Sequence, residues 1–158
     1  MKKSVFLILL AMIPFIFFSS CKPKVDVEKE KEAIKAVIYN ETQAYLLKDT
    51  SKVFSYYIRD SFQTRFTISC DTFTVRKGWN EVSALFKSPN LASLSNPKNS
   101  KEFLQIKIIG DVAWVMYIDN WNYDLNGSPV VGKLLNTMIL ENKENEWKIS
   151  GFSLSSLK

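Results

Sequence analysis

The sequence predicts an α+β fold with three helices ahead of a four-stranded antiparallel sheet. Three observations carry this. Residues 103–123, FLQIKIIGDVAWVMYIDNWNY, are two β-rich runs around Gly110-Asp111, which suits a hairpin with a type II′ turn. Residues 33–45 place Ala33, Ile34, Val37, Ile38, Ala44 and Tyr45 at the 3–4 spacing of an amphipathic helix. The helical patterns all precede the longer strands, and that order argues against alternating α/β units. A chain of 158 residues with 46% hydrophobic content suits one domain with one core.

The first segment is a leader. Lys2 and Lys3 precede an apolar run of 14 residues, Val5 to Phe18, and Ser19-Ser20-Cys21 follows. The run is short for a bilayer span and reads as a secretory signal. Small residues directly before a cysteine resemble a bacterial lipoprotein signal, in which Cys21 is lipidated. The expected division is a signal peptide over 1–20, a lipidated tether over 21–27 and a domain over 28–158.

A helix is then expected from Glu28 to Lys48, with Glu41 in the middle of its apolar stripe. Asp49-Thr50-Ser51 ends it and caps a short second helix that turns Val53, Phe54 and Tyr57 inward. Residues 61–67 alternate as a strand, and a turn at Cys70-Asp71 leads to a second strand at 73–75. Lys77-Gly78 opens a third helix, Trp79 to Phe86. Residues 88–101, with two prolines, read as a patternless polar loop. The hairpin pairs Ile109 with Val112. One face then holds Leu104, Ile106, Ile108, Ala113, Val115 and Tyr117 and continues through Asp119 and Trp121. The other holds Phe103, Gln105, Lys107, Trp114, Met116 and Ile118. Asn126 to Pro129 is a turn, Val130 to Glu141 a strand, 142–145 a tight loop and Trp147 to Leu154 the last strand.

Composition removes several chemistries. Taking Lys2 and Lys3 from the 21 basic residues leaves 19 against 16 acidic ones, a net charge of +3. Lys22 and Lys24 adjoin the anchor, so the domain is nearly balanced and no nucleic-acid partner is expected. The chain has no histidine and, beside Cys21, only Cys70. This leaves no metal cluster, internal disulfide or histidine-activated nucleophile, and no cofactor is expected.

Several stretches resemble the nuclear transport factor 2-like (NTF2-like) superfamily, and within it the SnoaL-like bacterial branch. They are AIKAVIYNETQAYLLKDTSKVFSYY, the KGWNEV start of helix three, the GDVAWV turn and the closing WKISGFSLSS. The resemblance implies a curled antiparallel sheet forming a cone, a cystatin-like roll, with three N-terminal helices closing an internal pocket. Members include ketosteroid isomerase, scytalone dehydratase, limonene epoxide hydrolase and many ligand-binding or accessory domains without chemistry. Ser153 stands in the last strand where related sequences often carry histidine, so histidine acid/base chemistry is not implied. Members often pair through the outer sheet face, and a homodimer through Trp114, Met116, Phe103 and Ile118 is expected.

The candidate polar residues of the pocket are Glu41, Asp119 and Arg65. Asp119 reads as a pocket carboxylate, as a solvated residue at a frayed strand end, or as the partner of an arginine. Glu41 reads as a pocket carboxylate or a buried structural group, for instance paired with Arg65. Arg65 is that partner or an anchor for an anion. Tyr45, Trp79, Tyr117 and Trp121 read as pocket lining or as core. Three functions follow: a lipid-anchored cell-envelope protein binding a small apolar ligand, a cofactor-free isomerase, dehydratase, cyclase or hydrolase, and an interaction module.

Overall fold

The computed structural model describes residues 26–69, 72–87 and 94–157; the expected leader, Cys21 and the turn expected at Cys70-Asp71 lie outside them. Among the described residues three helices, α1 (Val27–Leu46), α2 (Thr50–Ser55) and α3 (Gly78–Leu85), are joined to six strands. The strands are β1 (Thr64–Ser69), β2 (Thr72–Lys77), β3 (Leu94–Ile109), β4 (Val112–Leu125), β5 (Ser128–Lys143) and β6 (Glu146–Leu157). Among the described residues no helix is long and apolar enough to cross a membrane.

Local chemistry sets the boundaries. Asp26 caps α1 by accepting from the Lys29 amide, and Asp49 caps α2 by accepting from Lys52. α3 lacks a side-chain N-cap, but Glu81 reaches back to accept from the Lys77 amide at 2.9 Å. The hairpin turn has Gly110 at φ 59° with Asp111 on the negative side, as a type II′ turn requires. Asn126-Gly127 and Glu144-Asn145 both take positive φ at two successive residues, the signature of type I′ turns.

All six strands form one sheet in the order β2-β1-β6-β5-β4-β3. Every pairing is antiparallel except β1 with β6, where Thr64–Ile68 lies parallel to Gly151–Ser155. The sheet is therefore mixed and larger than the four strands expected from sequence. Gln63, fully buried, ties this junction: its amide nitrogen reaches the carbonyls of Ile58, Ile149 and Ser150 at 2.9, 3.0 and 3.2 Å.

Two expectations about β3 are corrected. Residues 94–101 are strand, not loop, because they ladder onto the far half of β4 from Leu94↔Leu125 onward. Pro97 is accommodated because β3 is an edge strand whose register shifts between Ser95 and Lys98. A second register shift, between Phe103 and Gln105, inserts one residue and exchanges the faces there. Leu104 turns outward, 46% exposed. Phe103 turns inward, its ring 5.5 Å from Tyr117 and 5.6 Å from Tyr39.

The helices cover one face of the sheet. Ile34 and Ile38 of α1, Val53 of α2 and Val82 of α3 meet Ala113, Val115, Leu140 and Ile149 in the core. Each large aliphatic side chain buried there contributes about 1.5–3 kcal/mol. Trp147 Nε1 donates to Glu30 at 2.7 Å and pins the start of α1 to β6. Beyond this packed region, between the far ends of β4–β6 and the helices, the interior opens.

Candidate functional site

The opening is a cavity of about 650 Å³. α1 presents Glu41, Thr42 and Tyr45 to it, one and two helical turns beyond Ile38 on the same stripe. Tyr57 follows α2, and Leu85 and Phe86 close α3. β1 adds Arg65, and the strands that follow add Tyr117, Asp119, Trp121, Gly132, Asn136, Met138 and Phe152. Aromatic rings make much of the wall. Tyr45 stands edge-on to Phe86 at 6.2 Å and to Trp121 at 6.3 Å, and Tyr57 lies 5.4 Å from Phe86 and 6.2 Å from Phe152. Gly132 pairs with Trp121 in the ladder, and a Cβ added to Gly132 would meet nothing within 4 Å.

Glu41 is 7% exposed. Tyr57 Oη donates to its Oε1 at 2.8 Å, and Thr42 Oγ1 approaches Oε2 at 3.4 Å. Burial pushes the Glu41 carboxyl above the ordinary glutamate range, and the Tyr57 hydrogen bond and the Lys101 charge pull it partly back. Burial, with Glu41 beside it, also pushes the Tyr57 hydroxyl well up. Arg65 is not the hydrogen-bonding partner of Glu41. Its guanidinium lies 4.7 Å over the Phe152 ring, and burial lowers its pKa.

Asp119 is neither at a frayed end nor paired with an arginine. It sits mid-strand, where Lys101 Nζ and Asn99 Nδ2 of β3 each donate to its Oδ1 at 2.7 Å. The Lys101 side chain is fully buried, with Nζ 5.2 Å from the centre of the Tyr117 ring. Removing one member of such a pair typically costs about 3–5 kcal/mol, because the other is left charged and buried. Burial, then the Asp119 charge, holds the Tyr117 hydroxyl well above its usual range.

The cavity thus brings together Glu41, Asp119, Arg65, Tyr45, Tyr117 and Trp121. Trp79, expected as lining, lies behind the wall. At the first turn of α3 it packs on Phe54 at 4.8 Å and Tyr57 at 5.7 Å, and the cavity is faced instead by Leu85 and Phe86 at the other end of that helix. Two polar groups stand out. Arg65 Nε and Trp121 Nε1 are sealed from solvent without a hydrogen-bond acceptor among the described residues. An unsatisfied buried donor costs about 1–3 kcal/mol. Among the described residues no group of side chains could hold a metal ion.

The architecture is that of the NTF2-like, or cystatin-like, fold. A putative dehydratase of the NTF2-like family from Streptomyces avermitilis superposes with a TM-score of 0.71 at 15% identity, over 84% of this chain and 99% of that one. A ketosteroid isomerase-like protein from Erwinia carotovora atroseptica gives 0.63 at 14% identity, over 80% and 95%. An NTF2-like protein with a cystatin-like fold from Novosphingobium aromaticivorans gives 0.66 at 12% identity, over 84% of each chain. No family model and no curated protein matches the sequence. At these identities the likeness extends to the fold and not to an activity.

Proposed function

We propose that this chain is a lipid-anchored cell-envelope protein of the SnoaL-like branch, whose domain binds a small apolar ligand. Cys21 carries the lipid, and a second copy of the chain covers the outer sheet face. The observation that supports binding over chemistry is the state of the two carboxylates. Glu41 is engaged by Tyr57, and Asp119 by Lys101 and Asn99, inside a cavity whose walls are mostly aromatic and aliphatic side chains. A few fixed polar groups in an apolar cleft of this size are what a small-molecule site requires.

Binding is tested by tryptophan fluorescence during titration with apolar ring compounds, because Trp121 lines the cavity. Saturable quenching at micromolar concentration is expected, with at least a tenfold loss in Gly132→Leu. That substitution has room for its Cβ and sends the side chain into the cavity. Identical titrations of the wild type and the variant would refute the reading.

A cofactor-free enzyme is the second reading. Its support is the buried Glu41, whose raised pKa moves a carboxyl toward the range that proton transfer uses. A ketosteroid isomerase-like protein and a putative dehydratase also share the fold. Turnover of a ring compound abolished in Glu41→Gln, with binding kept, would move the assignment from binding to catalysis.

A further inference from the structure

Charge and hydrogen-bond bookkeeping in the cavity is uneven. Of its two carboxylates, Asp119 is neutralised by Lys101, and Glu41 already accepts from Tyr57. Arg65 is left as a cation facing the cavity with no carboxylate partner among the described residues. Its guanidinium lies over the face of Phe152, which supports it but accepts no hydrogen bond from its N–H groups. The cavity therefore supplies donors where a ligand must supply acceptors.

Resting on the binding reading above, we propose that the ligand is a ring-bearing monocarboxylate, its carboxylate forked on the Arg65 guanidinium. Planar guanidinium and carboxylate groups match as two parallel hydrogen bonds. One negative charge fits the cavity, since the Lys101–Asp119 pair is already neutral and Glu41 is hydrogen-bonded to Tyr57 and makes no ion pair with Arg65. Rings on the ligand meet Tyr45, Phe86 and Trp121. A neutral compound of the same shape would fill the volume but leave Arg65 unsatisfied.

The test compares 2-naphthoate with methyl 2-naphthoate, matched in ring and differing in charge, by calorimetric titration of the full chain. The wild type is expected to bind the carboxylate at least tenfold tighter. Arg65→Met and Arg65→Gln are expected to abolish that preference while changing ester affinity less than threefold. Nitrogen-15 labelling of arginine supplies a readout that needs no variant: the Arg65 Nε–H resonance should shift with naphthoate and not with the ester. Equal binding of both compounds without an Arg65 shift overturns the head-group assignment and leaves the cavity reading standing. Failure of both to bind overturns the two together.

Discussion

Glu41 is a carboxylate on a helical face that is otherwise apolar, and its burial has a consequence for stability. A carboxyl whose folded pKa lies above its unfolded value binds more protons in the native state. Its contribution is present in full below the unfolded pKa, about 4.3 for glutamate, and is lost as pH rises through the raised folded value. Glu41→Gln keeps an acceptor for Tyr57 and removes the charge. The variant should match the wild type near pH 4 and exceed it in Tm above that window, by about 2–4 °C for each 1 kcal/mol gained. Thermal unfolding of both proteins from pH 4 to 8 checks this, and a constant Tm difference would refute it. Glu41 was legible in the sequence because it interrupts a 3–4 stripe. Its partner Tyr57 was not, because a contact across 16 positions depends on how two helices dock. Asp119 was legible as an inward residue by alternation from Ala113. The ion pair was hidden because Lys101 lies in a stretch whose prolines and asparagines carry no strand pattern.

At the level of the strands, the hairpin turn and its first pairs were readable because glycine chemistry and alternation agree there. The faces beyond Gln105 were not, since a one-residue bulge leaves no mark in composition. That correction removes Phe103 from the outer surface and leaves a broader one than expected. Trp114, Met116 and Ile118 of β4 share it with Ile139 of β5, which is 46% exposed, and with Phe66, Ile68 and Phe73 of the short strands. The β4–β5 part of this face, separated from Phe66, Ile68 and Phe73 by Ser153 and Ser155 of β6, is apolar enough to mark an interaction surface. The proposed dimer predicts a mass of two chains in sedimentation velocity. Trp114→Glu and, independently, Ile139→Lys should each raise the dissociation constant at least tenfold. A wild-type monomer mass unchanged by concentration would rule the dimer out.

For the whole molecule, the proposed anchor sets where the cavity works. One acyl chain gives marginal membrane binding and two or more give stable attachment. Cys21→Ser should therefore move the protein from the membrane to the soluble fraction while leaving naphthoate affinity within threefold. Equal membrane retention of wild type and variant on fractionation would remove the anchor from the reading. The class of fold was legible because helix periodicity, turn residues and element order all pointed the same way. The six-stranded order was not, because the parallel pairing of β1 with β6 joins segments whose sequences say nothing about each other.

That same pairing imposes an order in time. Arg65 rides on a strand made well before its neighbours in the sheet, Gly151–Ser155. Contacts this far apart along the chain form slowly, after local hairpins have closed. A chain lacking Glu146–Leu157 has no Phe152 for Arg65 to rest on and no strand to join β1 to β5. The two walls of the cavity meet only when the last strand arrives, so a truncated chain has nothing in which to hold a ligand.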